Sequence, residues 1–188
     1  MRSIVAFLLA LLPVLFPACA SAEISHIVVS AAGGQSHKTW HGQADIQALN
    51  VEIGKAFSPR TEVAFMLSPM SLWQPRSWFG DQFGDGNETV HALAASLLVR
   101  HRLNTDSSRL HFYGEAAMGP MWAEKAIPAS TSRFNFSSQL GAGVVLMPQA
   151  RFPVIVGYRF AHLSNGGYSP RNPGFNISTV VVGVQVRR

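Results

Sequence analysis

The C-terminal stretch Ile177–Arg187, which reads ISTVVVGVQVR, shows most clearly how this chain folds. Successive side chains of a β-strand point to opposite sides, so Val180, Val182, Val184 and Val186 fall on one face of an extended strand. The residues between them are smaller, and they become more polar toward the end of the stretch. This alternation predicts a long β-strand that is strongly apolar on one face only.

Seven earlier stretches also have strand character and are separated by turn residues. Together with the last, the predicted strands are 24–32, 43–57, 61–73, 89–102, 109–122, 133–147, 152–164 and 177–187. Long strands with alternating faces, joined by alternately short and mostly longer connections, are typical of barrels that span a membrane. We therefore predict an all-β fold, an eight-stranded antiparallel transmembrane β-barrel. A water-soluble β-sandwich is the alternative, because it buries the same apolar faces between two sheets.

The N-terminal residues have the features of a secretory signal peptide. Arg2 provides a positive start, and a short apolar run follows from Ile4 to Phe16 before a group of small residues. We predict that residues 1–22 are removed and that residues 23–188 form a single outer-membrane β-barrel domain. A lipoprotein signal at Cys19 is the alternative for this segment.

The composition narrows the class of protein. Only 13% of the residues are charged, against about a quarter in ordinary soluble domains. The net charge of +5 is not gathered into a basic run, so nucleic-acid binding is not expected. Cys19 is the only cysteine, and its loss with the signal leaves no disulfide or thiol chemistry. A signal peptide together with a barrel fold predicts that the protein lies in the outer membrane of a Gram-negative cell. Whether it is a monomer or a homodimer is left open.

A candidate site lies at the end of the seventh predicted strand. His162 and Ser164 are two residues apart, so they share a face with Tyr158. A serine nucleophile needs a base, and the base needs a third group that orients it. Asn176 begins the next strand with the same parity as Val180, which places it on the same surface, near His162. His162, Ser164 and Asn176 are therefore a candidate catalytic triad facing lipid.

The segment Tyr158–Gly167, YRFAHLSNGG, resembles the motif of PagL-type lipid A deacylases, which are outer-membrane acyl hydrolases. The segment Asn172–Asn176, NPGFN, is similar to sequences of the same broader family. The resemblance implies a serine esterase that hydrolyses the ester-linked hydroxyacyl chain at position 3 of lipid A in the outer leaflet. It also implies that this lipopolysaccharide modification needs no cofactor and no metal.

The resemblance also implies roles for individual residues. Ser164 would be the nucleophile and His162 the general base. Asn165 and the backbone N–H of Gly167 would form the oxyanion hole.

One position departs from the family pattern. The family's third triad member is a glutamate, and Asn176 stands at the matching position. Asparagine accepts the imidazole N–H but brings no negative charge. Glu115 cannot replace it, because the alternation of its strand points it inward. A non-catalytic outer-membrane barrel, either structural or a small binding protein, is therefore the alternative function.

The remaining charged residues have open or structural roles. Inside the barrel, Arg159 is expected to pair with an acid such as Glu115 or Glu62, because buried charges are normally paired. Five basic residues fall in or beside the longer connections, where contact with lipid A phosphates and ordinary surface charge are both open. They are Lys38, Arg76, Lys125, Arg133 and Arg171.

Overall fold

The computed structural model describes residues 26–38, 42–76, 86–107 and 109–187, and the predicted signal peptide lies outside this part of the chain. The strands are β1 (His26–Ser36), β2 (Asp45–Ala56), β3 (Thr61–Pro75), β4 (Asn87–Arg102), β5 (Leu110–Ala123), β6 (Phe134–Leu146), β7 (Val154–Ser164) and β8 (Phe175–Arg187). In the described residues there is no helix with the length and apolarity needed to cross a membrane.

The eight strands form one closed antiparallel barrel. Each strand pairs with its neighbours along the chain, and β1 pairs with β8, with Val29 aligned to Val184. Closure pairs the backbone N–H and C=O groups that an open sheet edge would expose, and a membrane requires this. The predicted barrel is confirmed. The β-sandwich alternative is wrong, because a sandwich consists of two separate sheets.

Side chains alternate between the lumen and the outer wall. Val180, Val182 and Val184 of β8 are exposed, whereas Val181 and Gln185 between and beside them are buried. Large apolar side chains of the other strands are open on the outside in the same way. An apolar exterior around an interior with many polar residues is the pattern of a transmembrane barrel.

The first strand is longer than the sequence predicted. The prediction ends it at residue 32 and assigns Gly33 and Gly34 to the following connection, but β1 continues to Ser36. At Gly34 an added Cβ would lie only 1.9 Å from the backbone oxygen of Ser178. This glycine therefore permits a close approach of β1 to β8 and does not begin a turn.

The two ends of the barrel differ in the length of their connections. The shorter connections, all at one end, are 57–60, 103–109 and 147–153. The longer ones, at what is called here the long-loop end, are 37–44, 76–86, 124–133 and 165–174. Since β7 ends and β8 begins at the long-loop end, the loop 165–174 brings the predicted site residues there.

Four buried charges form a closed ring in the lumen. This interior charge ring consists of Glu52, Arg100, Glu115 and Arg159. Each carboxylate accepts a hydrogen bond from both guanidiniums, at 2.6 to 3.0 Å. Burial without such partners would be very costly. Arg159 pairs with Glu115 as predicted, but its second partner is Glu52. The proposed partner Glu62 instead lies 3.7 Å from Arg100 Nη1.

A tyrosine packs against this ring. The guanidinium carbon of Arg100 lies 5.0 Å from the centre of the Tyr113 ring. A Cβ added at Gly143 or Gly157 would lie 2.5 Å or 2.4 Å from the Tyr113 hydroxyl. The two glycines therefore leave the space that the buried phenol occupies.

Candidate active site

Strand β7 brings His162 and Ser164 to the outer wall at the long-loop end. His162 is exposed and Ser164 is half-buried, whereas Ala161 and Leu163 point into the lumen and are buried. Two residues along a strand correspond to ~7 Å between Cα atoms. The site residues therefore share the outer face that the alternation of the sequence predicts.

The imidazole of His162 is held by the neighbouring strand. His162 and Asn176 are directly paired in the register of β7 and β8. His162 Nδ1 lies 2.8 Å from Asn176 Oδ1. Because an amide oxygen can only accept, His162 donates the hydrogen of Nδ1, and Nε2 keeps its lone pair. The second ring nitrogen is thus the one available as a base.

Ser164 lies on the other side of this pair, toward β6. Its register partner is Phe136. Within the described residues the Ser164 hydroxyl has no hydrogen-bond partner, so no bond to His162 is made. Bonds between a catalytic base and its nucleophile are often long in a ligand-free enzyme and tighten when substrate binds.

Asn165 organises the loop that follows Ser164. The residue is 1% exposed. Its side-chain amide donates to the backbone oxygen of Arg171 at 2.7 Å, and its side-chain oxygen accepts the Gly167 N–H at 2.9 Å. The Asn165 N–H donates to the side-chain oxygen of Asn172 at 2.9 Å. Asn165 and Gly167, the two residues predicted for the oxyanion hole, are therefore hydrogen-bonded to each other.

Gly174 is a site residue that the sequence reasoning did not single out. It has φ of +58°, and a Cβ there would lie 2.9 Å from His162 Cε1 and 3.2 Å from Nε2. The glycine therefore leaves the space that the imidazole occupies. The available signal was its place two residues before Asn176 in a loop that needs a left-handed turn.

A second serine on the same wall has a histidine neighbour. Ser178 Oγ lies 3.1 Å from His37 Nε2 and 2.6 Å from the Tyr158 hydroxyl. The His37 ring packs edge-on against Phe160, with the ring centres 5.5 Å apart. A shallow groove of about 400 Å³ runs past these groups, between β1 and β8. The sequence reasoning missed this arrangement, because His37 and Ser178 are far apart in the chain.

Glu115 does not take part in the site. Both of its oxygens are bonded to guanidiniums of the interior charge ring. Among the described residues, Asn176 is the group hydrogen-bonded to the His162 imidazole. A serine can attack an ester when a histidine with a free Nε2 takes its proton and an amide holds that histidine. This chemistry requires that Ser164 and His162 come into contact.

The fold and the site together define a class, a transmembrane β-barrel with hydrolase-type residues on its outer wall. The family model described as lipid A 3-O-deacylase (PagL) matches residues 32–185 of the chain. Because this match covers far more than half of its length, the chain belongs to the lipid A 3-O-deacylase family. The protein is accordingly an enzyme, a carboxylic ester hydrolase.

Solved structures show the same fold at low sequence identity. Neisserial surface protein A is 13% identical, with a TM-score of 0.63, over 87% of this chain and 96% of that one. The outer membrane enzyme PagL is 18% identical, with a TM-score of 0.56, over 86% and 99%. Ail of Yersinia pestis is 16% identical, with a TM-score of 0.51, over 89% and 100%. No curated protein matches the chain by sequence.

Proposed function

We propose that the protein removes the ester-linked hydroxyacyl chain at position 3 of lipid A, with Ser164 as nucleophile, His162 as base and Asn176 as orienting residue. The observation that carries the proposal is the hydrogen bond from His162 Nδ1 to Asn176 on the outer wall. In a member of a lipid A deacylase family, this bond leaves Nε2 ready to accept a proton on the face that also carries Ser164.

The first half of the reaction transfers the acyl chain to the enzyme. Ser164 Oγ attacks the ester carbonyl while His162 Nε2 takes the hydroxyl proton. The imidazolium then donates this proton to the sugar oxygen as the bond between acyl carbon and sugar oxygen breaks. Asn176 keeps the ring aligned through both transfers, but it does not neutralise the positive charge as a carboxylate would.

The negative charge that develops on the ester oxygen needs donors. We assign them to the Gly167 N–H and to the second amide hydrogen of Asn165. The first is now bonded to Asn165 Oδ1 and would turn to the oxyanion when it forms. This turn breaks one internal hydrogen bond, which the charge-assisted bond to the oxyanion replaces.

The second half of the reaction releases the fatty acid. His162 Nε2 removes a proton from water, and the resulting hydroxide attacks the acyl carbon bound to Ser164 Oγ. The Ser164 hydroxyl is restored by the proton that His162 returns. No redox step occurs, and the side chains of the site supply every proton transfer.

The direction of the site supports a reaction that takes place within the membrane. His162, Ser164 and Asn176 face the surroundings of the barrel and not its lumen, so the substrate reaches them from the membrane. We propose that residues 1–22 direct export and that the long-loop end faces outward. The site then lies in the outer leaflet of the outer membrane, where lipid A is found.

Mass spectrometry of lipid A from Gram-negative cells tests this proposal. Cells expressing the wild type should contain lipid A that lacks one hydroxyacyl chain, and cells expressing Ser164→Ala should not. Ser178→Ala is the matched control, because Ser178 also lies on the outer wall and its hydroxyl also has a histidine neighbour, His37.

The control also separates the two serines. Activity that survives Ser164→Ala and disappears in Ser178→Ala would transfer the nucleophile to the pair formed by His37 and Ser178. Identical spectra for the wild type and cells without the protein, with the barrel present in the outer membrane, would favour a non-catalytic barrel.

A further inference from the structure

Four aromatic side chains form a continuous cluster on the outer wall beside Ser164. This aromatic cluster consists of Trp122, Phe134, Phe136 and Tyr168, with neighbouring ring centres 5.2 to 6.3 Å apart. Phe136 is the register partner of Ser164, so the cluster begins at the nucleophile. It extends from there toward the long-loop end.

A fixed positive charge stands at the far end of this cluster. The Arg133 guanidinium carbon lies 5.2 Å from the centre of the Trp122 ring. Arg133 Nε donates to the backbone oxygen of Ala123 at 3.1 Å. One hydrogen bond and one aromatic face therefore orient the guanidinium, while its two terminal NH₂ groups make no hydrogen bond to a residue that the structure describes. Arg133 is exposed, and in the described part of the chain no carboxylate pairs with it.

A neighbouring lysine shows the contrast. Lys125 lies in the same connection, but its ammonium is bonded to Glu88 at 2.8 Å. Its charge is therefore already balanced, and it has less to offer an anion. Of these two cations, Arg133 is the one held in place without an anionic partner among the described residues.

We propose that Arg133 binds a phosphate on the sugar headgroup of lipid A and sets the position of the ester over Ser164. This inference rests on the proposed function and adds a specificity-determining residue to it. Arg133 precedes Phe136 by three residues, which corresponds to ~10 Å of extended chain. A guanidinium fork can bind phosphate through two parallel hydrogen bonds. The phosphate and the acyl ester belong to the same headgroup, so one molecule spans both positions.

Binding of lipid A in detergent micelles tests the inference without requiring turnover. The probes are bisphosphorylated lipid A and the same lipid A stripped of its phosphates. Ser164→Ala is the background, so that the ligand stays intact. Adding Arg133→Gln should weaken binding of the phosphorylated lipid about tenfold, the size of one charge-assisted hydrogen bond. Binding of the stripped lipid should not change.

Two further variants sharpen the test. Lys125→Gln makes the same charge change in the same connection and should leave binding of both lipids unaltered. Arg133→Lys keeps the charge but loses the planar guanidinium fork. Its affinity for the phosphorylated lipid should lie between those of the protein with Arg133 and of Arg133→Gln. Strand content by circular dichroism checks that each barrel is folded. Equal weakening of both lipids by Arg133→Gln, or an equal effect of Lys125→Gln, would overturn the inference.

A cleavage assay on proteins that keep Ser164, with and without Arg133→Gln, separates the inference from the proposed function. Binding that depends on Arg133 and on phosphate, without loss of an acyl chain, would contradict only the deacylase mechanism. Cleavage that proceeds equally well on both lipids in the wild type and in Arg133→Gln would contradict only the role of Arg133. Weakened binding of phosphatidylglycerol by the same factor would assign the site to phospholipids and overturn the choice of lipid A.

Discussion

His162 Nδ1 lies 2.8 Å from Asn176 Oδ1, between residues that are directly opposite in the paired strands β7 and β8. The bond therefore depends on strand register as well as on side-chain rotamers. A shift of one residue would turn one of the two side chains into the lumen. The barrel wall itself thus sets the orientation of the candidate base.

Asn176→Ala should lower kcat about tenfold, because the loss of one hydrogen bond worth about 1.5 kcal/mol leaves the imidazole free to rotate. The barrel should still fold, since the strand register is held by backbone bonds. Release of fatty acid from lipid A in micelles measures the effect. An unchanged rate would show that Asn176 does not orient His162.

Asn176→Glu should keep or raise activity. A carboxylate at this position would accept the same Nδ1–H and would also stabilise the imidazolium formed during attack. The same fatty-acid assay, run beside Asn176→Ala, measures the difference. Total loss of activity in a folded barrel would mean that the amide of Asn176 belongs to a hydrogen-bond arrangement that a carboxylate cannot reproduce.

Gly174→Ala should lower activity strongly, beyond what its effect on folding stability explains. The substitution places a methyl group 2.9 Å from His162 Cε1 and also strains a backbone with φ of +58°. Gly86→Ala is the control, because φ there is +103° and an added Cβ meets nothing within 4 Å. Both variants carry a backbone cost, about 1–2 kcal/mol in the left-handed conformation of Gly174, but only Gly174→Ala displaces the imidazole. Activity and urea unfolding of the two proteins, measured in parallel, distinguish these effects.

Much of this architecture could be predicted from the sequence, because alternation along a strand depends only on local geometry. The positions of β7 and β8, and the outward direction of His162 and Ser164, follow from a period of two residues. The bond between His162 and Asn176 could be anticipated, because a hairpin brings its two strand ends together. The pairing of His37 with Ser178 could not, since it depends on how β1 closes the barrel against β8.

Removing one member of the interior charge ring should strongly destabilise the barrel, because it leaves buried charges without a partner. Arg159→Met leaves Glu52 and Glu115 each without one guanidinium and should lower the free energy of unfolding by about 3–5 kcal/mol. Lys125→Gln breaks an exposed pair and should cost less than about 1 kcal/mol. Urea unfolding in detergent, followed by tryptophan fluorescence, measures both. Equal small changes would show that the ring contributes little to stability.

A double substitution tests the packing around Tyr113. Gly157→Ala should destabilise the barrel by about 1–3 kcal/mol through overpacking, because the new Cβ would lie 2.4 Å from the phenol oxygen. Adding Tyr113→Phe removes that oxygen and should restore part of the loss.

Gly143→Ala provides the contrast in the same unfolding assay. Its Cβ would also lie 2.3 Å from the backbone oxygen of Val156, so Tyr113→Phe should not rescue it. Equal rescue at both positions would contradict this account of the space around Tyr113.

The choice of partners inside the lumen shows where sequence reasoning stops. The inward direction of Glu115 and Arg159 follows from alternation, and their pairing was anticipated. The place of Glu52 could not be assigned in the same way, because partners across a barrel depend on the shear between strands and on side-chain length. By contrast, the bond from the Gly167 N–H to Asn165 Oδ1 is a local Asx turn, which an asparagine followed by two glycines favours.

The outward direction of His162 and Ser164 has a kinetic consequence. A site that opens onto the hydrocarbon and headgroup region meets its substrate by sideways diffusion within a two-dimensional layer. The quantity that sets the reaction rate is then the number of substrate molecules per unit of membrane area. Diluting the cell suspension leaves this surface density unchanged, whereas mixing inert lipid into the layer lowers it.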